Sequence, residues 1–485
     1  MAIPVAADDS STEPPDGGRK LRLFGTLAVL FENNRTSIEA SGDAYDKFKT
    51  LLGINLGWGK FSAGAQLEYL YWSDQELAIA GDLDRLREGF EPRKYWLDYT
   101  TENFKGRLGT FFTSFGRGLT LYVQKNEVVG IDEPIHGLDL TTEIGPFEFE
   151  ALGGNVTDPL LENTFNREFE DTIWGGRAQV NLPYDTYLGA SYADATLQAV
   201  FPGEDDDRVE VWSVAGGGYG LAGVLDLHGE WAEIEKVERG RGKDGYGGYF
   251  SAAANIGMVT ILGEYKDYWN FAYRYNNPPT AGPTDEAYEH NDVVGPRLLV
   301  SGNILATGTL LTGSYGSFDT HRREDSIGGE NGDEQEEWLV SLQETAGPIY
   351  LEASYFHRDW IEREIIEEHV KGDLHITVLE GMGDVAIGYD LRKESTNFFS
   401  RADHRSYLSF SRSPWGSFGL RYAWNDRTSQ EKEEFWGWDF QYLPTRSLTL
   451  TLFVGSDPGG LVCAGGQCRE EPPFKGIRAT GNWRF

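Results

Sequence analysis

Apolar and polar residues alternate along almost the whole chain. In the first such run, Leu21, Leu23, Gly25, Leu27, Val29 and Phe31 share one face. The same pattern recurs at 61–71, 225–231, 259–266, 436–442 and 448–454. A period of two is typical of a β-strand with one apolar and one polar face. Because no stretch shows a convincing helical period, the pattern predicts one continuous β array.

The last stretch, 475–485, alternates in the same way and ends on an aromatic residue. One face carries Ile477, Ala479, Gly481, Trp483 and Phe485. It resembles the terminal assembly signal of bacterial outer-membrane β-barrel proteins, which makes Gly481, Trp483 and Phe485 the candidate signal residues. An edge strand of a soluble sandwich would show the same alternation, so this strand alone leaves both interpretations open.

The connections favour the barrel, because two kinds of connection alternate along the chain. Short turns, such as 57–60, 145–146 and 347–348, alternate with long polar connections, such as 73–91 and 271–291. Short periplasmic turns and long extracellular loops are typical of outer-membrane barrels. The hairpin count predicts a large, single-chain, antiparallel transmembrane β-barrel of about 24 strands, with a range of roughly 22 to 26. An even count places the last strand beside 21–31 and closes the sheet.

Composition and aromatic placement agree with a barrel in the outer membrane. Hydrophobic residues make up 40% of the 485 residues and the mean hydropathy is −0.44. No apolar run approaches the roughly 18 residues of a membrane helix, so a helical membrane protein is excluded. Tyr and Trp cluster near predicted strand ends, where rings favour the lipid interface; examples are Tyr69, Tyr71 and Trp72, Tyr95 and Trp96, and Tyr265, Tyr268 and Trp269.

The net charge of −34 argues against nucleic acid as a partner, since nucleic-acid binding requires a basic surface. Membrane lipid and the barrel-assembly machinery are the partners that a barrel implies. The acidic stretches 204–207 and 330–337 are either solvated surface or sites for loop-bound divalent cations, whose hard ligands are carboxylates. No cofactor is expected.

Residues 1–19 form a separate tail rich in Pro, Ser and Asp. Its composition predicts disorder, and Val5, Ala6 and Ala7 resemble the small-residue end of a signal peptide. A cytosolic protein with a disordered tail is the alternative interpretation. Residues 20–485 are expected to form the barrel.

The segment Phe115–Lys125 is the one piece that does not fit the hairpin pattern. It extends a strand or folds into the lumen, and we expect the second. Phe115, Arg117, Tyr122 and Lys125 are therefore the candidate residues of a lumen constriction.

Two cysteines, Cys463 and Cys468, lie in the final long connection. Their spacing does not match a haem-attachment motif, and two cysteines alone do not complete a structural zinc site. A local disulfide, formed in the oxidising periplasm, is the best interpretation.

Two motifs are similar to those of a family of uncharacterised bacterial outer-membrane barrels that carries a domain of unknown function. One is the carboxy-terminal run from Gly455 through Cys463 and Cys468 to the terminal Arg484 and Phe485; the other is Arg107–Leu119, which includes Phe-Gly-Arg-Gly. The resemblance implies the fold and the outer-membrane location but no substrate.

No hydrolase elbow, phosphate loop or zinc-protease motif is present, so a non-enzymatic function is expected. The favoured function is a channel-like, porin-like barrel whose lumen is partly blocked by its own loops, with excess carboxylates favouring cations. A barrel that houses a periplasmic, lipoprotein or lumen-filling partner is the first alternative. An outer-membrane hydrolase with a site assembled from separate strands is the second.

Overall fold

The computed structural model describes residues 21–35, 45–73, 89–126, 131–157, 170–199, 205–238, 241–280, 292–304, 306–321, 334–427, 433–464, 467–471 and 473–485. Strands dominate these residues, and the one short helical element is the 3-10 turn Leu379–Gly381. Within these ranges no helix is long and apolar enough to cross a membrane. The predicted disordered tail, 1–19, lies outside the described residues.

The strands follow one another along the chain in hairpins. They are β1 Arg22–Asn34, β2 Tyr45–Trp58, β3 Phe61–Trp72, β4 Gly89–Thr100, β5 Phe104–Phe111, β6 Thr113–Phe115, β7 Leu121–Val123, β8 Ile135–Ile144, β9 Phe147–Thr157, β10 Glu170–Leu182, β11 Thr186–Leu197, β12 Asp207–Leu221, β13 Leu225–Glu238 and β14 Arg241–Ile256. The second half contains β15 Val259–Trp269, β16 Asp292–Ile304, β17 Thr309–Asp319, β18 Glu334–Ala346, β19 Ile349–Trp360, β20 Ile365–Val378, β21 Gly383–Ser395, β22 Ser400–Arg412, β23 Gly416–Arg427, β24 Glu433–Thr445, β25 Leu448–Asp457, β26 Gly460–Ala464, β27 Gln467–Glu471 and β28 Phe474–Arg484.

Twenty-four of these strands form one closed antiparallel sheet. Neighbours in the chain pair with each other, except where a hairpin leaves the wall: β5 pairs with β8 around β6–β7, and β25 pairs with β28 around β26–β27. The last strand, β28, pairs back with β1 from Thr26–Arg484 to Asn34–Gly476. The amides of Gly25 and Phe485 each donate to the other's carbonyl oxygen, at 2.8 and 2.9 Å. The predicted 24-strand barrel and its closing strand are confirmed.

The two rims of the barrel differ. The turn rim carries connections as short as Gly59–Lys60, Gly145–Pro146 and Gly347–Pro348. The loop rim carries the longer connections, but some there are short: β13 and β14 pair up to Glu238 and Arg241, β19 leads to β20 through 361–364, and β22 begins at Ser400. Polar residues continue the strand ladder at those positions because strand pairing uses backbone groups and does not require apolar side chains.

The outer face of the wall is apolar and exposed. On β24 and β25, Trp436, Trp438, Phe440, Leu450 and Leu452 are all exposed, and the side chains between them point into the barrel. Such a belt, in a closed barrel with no free sheet edge, is a surface for lipid. The protein is therefore a transmembrane barrel.

Three of the aromatic residues predicted at the lipid interface point into the barrel instead. Trp72 is buried against Tyr45, Tyr268 is fully buried, and the ring of Trp96 covers Gly64. Each follows or precedes an outward residue by one position, so the period of two places it on the opposite face. Tyr69, Tyr71, Tyr95, Tyr265 and Trp269 are exposed on the outer face as predicted.

A buried ion pair crosses the seam between the first and last strands. Arg478 Nε donates to Glu32 Oε2 at 2.6 Å, and the Tyr45 hydroxyl donates to Glu32 Oε1 at 2.6 Å. We expect Arg478→Met to remove the hydrogen-bonded cation from the buried Glu32 carboxylate and to destabilise the barrel by on the order of 2 kcal/mol. Urea unfolding, followed by the heat-dependent shift in gel mobility, measures this loss.

The matched control is Arg35→Met, because the Arg35–Asp46 pair joins neighbouring strands at 3.4 Å and both side chains are largely exposed. An exposed pair contributes at most about 1 kcal/mol. Equal unfolding midpoints for the two variants would contradict the importance of the seam pair.

Candidate functional site

A short hairpin leaves the wall between β5 and β8 and folds into the lumen. Its strands β6 and β7 pair Thr113 with Val123 and Phe115 with Leu121. The turn between them contains Gly116 at φ +60° and Gly118 at φ +85°, values that glycine adopts readily. We call Thr113–Val123 the lumen hairpin.

The apolar side chains of the lumen hairpin are fully buried. Phe115, Leu119 and Leu121 each have 0% of their surface exposed. They pack on side chains of β9–β13 that alternate with outward residues such as Trp174 and Trp212. These contacts therefore place the hairpin inside the barrel. The inward side chains are Leu152, Val156, Ile173, Ala193, Ala195, Val209, Val211, Ala232 and Ile234.

Three polar contacts fix the lumen hairpin to the wall. Thr113 Oγ1 donates to Glu150 Oε1 at 2.8 Å, and Thr120 Oγ1 donates to Ser213 Oγ at 2.7 Å. At the tip, the backbone N–H of Arg117 donates to Glu230 Oε2 at 2.8 Å. Glu230 lies opposite Ala215 and Tyr249 near the middle of β13, so the tip extends to about half the depth of the wall.

A second inserted segment, Phe271–Thr280, follows β15 and packs against the first. The amide of Tyr122 donates to the Tyr275 carbonyl at 2.7 Å, and the amide of Asn277 donates to the Gly118 carbonyl at 2.9 Å. The Tyr273 hydroxyl donates to the Thr120 carbonyl. The two segments therefore form one packed unit, which we call the lumen plug.

One wall carboxylate, Asp171, holds the second segment. Arg274 Nη1 and the Tyr275 hydroxyl both donate to Asp171 Oδ2, at 2.5 and 2.6 Å. Burial raises the pKa of the Tyr275 phenol well above its usual range, and the charge of Asp171 raises it further. The phenol is thus a hydrogen-bond donor at any pH that the protein meets.

A chain of buried polar groups lies beside the tip of the plug. The Tyr187 hydroxyl is 2.5 Å from His228 Nδ1, and His228 Nε2 is 3.7 Å from Glu230 Oε2. His228 Nε2 and Glu230 Oε1 are buried without a hydrogen-bond partner among the residues that the structure describes. The other carboxylate oxygen of Glu230 accepts from the plug tip, so the contacts assign this residue a positioning role.

The four candidate constriction residues are in or next to the hairpin but differ in environment. Phe115 is fully buried, Tyr122 and Lys125 are half-buried, and Arg117 is exposed at the tip. Their effect on passage stays a prediction.

The other candidate residues lie elsewhere. Trp483 and Phe485 are exposed on the outer face near the turn rim, with ring centroids 5.0 Å apart. Cys463 and Cys468 face each other in the register of β26–β27. The assembly signal and the disulfide stay predictions.

The sequence does not predict the second half of the plug, because 271–291 has the composition of one long polar connection. Two signals were present in the sequence. Phe271, Tyr273 and Tyr275 repeat an aromatic residue at every second position. The ends of β12 and β13 carry apolar residues inward, such as Val209 and Val211, and charged residues outward, such as Glu210. An apolar inner face at a strand end requires a cover inside the barrel.

The rest of the described inner wall is polar and rich in ion pairs. Both Asp98 oxygens accept from Arg107, Lys371 Nζ is 3.1 Å from Asp373 Oδ2, and Arg421 Nη2 donates to Asp439 Oδ1 at 2.9 Å. Within the described ranges, no group of three or more His, Cys, Asp or Glu side chains is placed to hold a metal ion. The predicted acidic cation sites, 204–207 and 330–337, fall partly outside those ranges.

Comparisons with solved structures match the barrel fold. A chain of the E. coli P pilus tip assembly intermediate PapC-PapD-PapK-PapG aligns with a TM-score of 0.56 at 11% identity, over 99% of this chain and 63% of that one. The siderophore receptor PirA from Acinetobacter baumannii gives 0.52 at 7% identity, over 96% and 80%. The copper transporter OprC gives 0.50 at 10% identity, over 97% and 82%. At such identities the likeness concerns the fold alone.

The closed 24-strand wall with its lipid-facing belt defines this protein as a bacterial outer-membrane β-barrel, and the predicted location is confirmed. Residues 24–201 match a family of unknown function, DUF6029. That match includes the Arg107–Leu119 motif but not the carboxy-terminal one. No curated protein matches the chain.

The tip of the plug has no room for a side chain at Gly116. A Cβ atom there would overlap the Glu230 carboxylate, and φ is +60°. We expect Gly116→Ala to displace the tip and to break the bond from the Arg117 amide to Glu230, which speeds hydrogen exchange at that amide. Hydrogen–deuterium exchange at Arg117 in folded barrels measures the displacement.

Gly145→Ala is the matched control, because Gly145 has nearly the same φ, +62°, and a Cβ there meets nothing within 4 Å. It carries the same backbone strain without the overlap. Equal protection at Arg117 in both variants would show that Glu230 does not fix the tip.

Proposed function

We propose that this protein is a channel-like outer-membrane barrel whose lumen is partly closed by the lumen plug. The observation that supports it is the complete burial of Phe115, Leu119 and Leu121 on the inner wall. Barrels of about 22 strands already enclose a lumen so wide that it is closed by a plug. A 24-strand wall therefore needs an internal obstruction to limit leakage, and the plug supplies one from the same chain.

The passage follows the part of the wall opposite the plug. The plug covers β9–β15, whereas the inward side chains of β20–β23 are partly exposed and charged. Examples are Lys371, at 43% exposed, and Arg392, at 58% exposed. Partly exposed paired charges suit water and small polar solutes.

A housing for a partner protein is the second candidate, and the fold likeness to the pilus assembly intermediate favours it. A periplasmic, lipoprotein or lumen-filling partner would then occupy the space beside the plug. This alternative predicts negligible conductance of the purified barrel and a protein that co-purifies from native membranes in mild detergent.

We also propose a non-enzymatic role. Specific lipid hydrolysis by the purified protein would support the hydrolase alternative instead.

Three further assignments complete the proposal. Cys463 and Cys468 form a disulfide that closes the β26–β27 hairpin. Gly481, Trp483 and Phe485 are recognised by the barrel-assembly machinery. Divalent cations bind the acidic stretches 204–207 and 330–337.

Removing the obstruction should increase passage. We expect replacement of Thr113–Val123 by a Gly-Ser linker to raise single-channel conductance at least about threefold, because a wide barrel without a plug is an aqueous pore. Planar-bilayer recording measures the change. Replacing residues 361–364 at the same rim with Gly and Ser is the control and should leave conductance unchanged; equal conductance of the hairpin deletion and the intact protein would contradict the proposed obstruction.

A further inference from the structure

The plug tip presents one cation, Arg117, to the lumen. Its surroundings differ from those of the cations on the wall. Arg107, Arg177, Arg358 and Arg421 each pair with a carboxylate within 3.3 Å. Arg117 forms no ion pair with any carboxylate in the described part of the chain, and it is exposed. The positive charge of its guanidinium interacts electrostatically with the hydroxyl groups of Tyr187 and Tyr249, which are neutral hydrogen-bonding groups.

The backbone that carries this side chain is held against the wall. The Arg117 amide is bound to Glu230, and the neighbouring Gly116 lies directly against the same carboxylate. Glu230 has 0% of its side chain exposed. The carboxylate therefore lies behind the tip, and the guanidinium is the charge that a solute in the lumen meets.

We propose that Arg117 sets the charge selectivity of the passage by binding small anions that carry a carboxylate or a phosphate group. This inference rests on the proposed channel function. A guanidinium presents a fork of N–H donors that fits such groups with two parallel hydrogen bonds. Its attraction is stronger in a confined lumen than in bulk water, because low-dielectric walls focus the field.

The position matters more than the charge of the whole chain. The net charge of −34 includes acidic connections such as 204–207 and 330–337, whereas wall charges at the level of the membrane are mostly paired. The Glu230 carboxylate lies at the same level but is buried, so the exposed charge at the tip is that of Arg117. Anions rather than cations are favoured there, which differs from the expectation based on excess carboxylates.

The test is the reversal potential of single channels in a tenfold KCl gradient. We expect Arg117→Ala to shift the permeability ratio at least about threefold toward potassium, and Arg117→Glu to shift it further. Arg117→Lys keeps the charge and should stay close to the unmodified protein. Arg35→Ala, which removes an exposed cation 3.4 Å from Asp46 at the end of β1, is the matched control and should have little effect.

A second readout uses inorganic phosphate added from the turn-rim side. Phosphate should reduce the current through the unmodified channel, reduce it less in Arg117→Lys, which lacks the fork, and leave Arg117→Ala unaffected. Unchanged reversal potentials in Arg117→Ala and Arg117→Glu would overturn the role of Arg117 while leaving the channel function intact. Absence of any ion current in the unmodified protein would overturn the channel function and this inference together.

Discussion

The structure depends on one constraint: in lipid, every backbone N–H and C=O must find its partner within the protein. A sheet meets this condition only when it closes, because an open edge leaves a row of unpaired groups. Here closure depends on the pairing of β28 with β1, which ends at the reciprocal bonds between Gly25 and Phe485. The Glu32–Arg478 pair lies across the same seam and adds a side-chain contact to the ladder.

A closed sheet of 24 strands encloses a wide lumen. The chain fills part of it with two segments that are far apart in sequence, and the inner wall beneath them is largely apolar. Leu119 packs near Val209 and Ala232. The carboxylates of Asp171 and Glu230 then fix the segments in place. The wall and the plug are thus complementary over a limited area, and the remaining wall is polar.

The sequence was sufficient for the wall but not for the plug. The period of two and the alternation of short and long connections follow from local pattern, because strand pairing in a hairpin is local. The pairing of the terminal strand with the first follows from the even strand count. The hairpin at Thr113–Val123 was found only because it did not fit the strand count. Its partners could not be found in this way: Arg117 and Glu230 are 113 residues apart, and no periodicity relates them. Trp72, Trp96 and Tyr268 show a related limit, since composition near a strand end does not say which face a ring takes.

The most direct test of the plug as the obstruction is to fix it reversibly to the wall. Thr120 and Ser213 have their hydroxyl oxygens 2.7 Å apart, so a Thr120→Cys, Ser213→Cys pair, in a background with Cys463→Ser and Cys468→Ser, should form a disulfide. If the passage runs beside a plug that stays packed on the wall, oxidised and reduced channels should conduct equally, and at the level of the unmodified protein. A current that rises when the disulfide is reduced, with the disulfide verified by mass spectrometry, would show that passage requires the plug to leave the wall and would contradict the account.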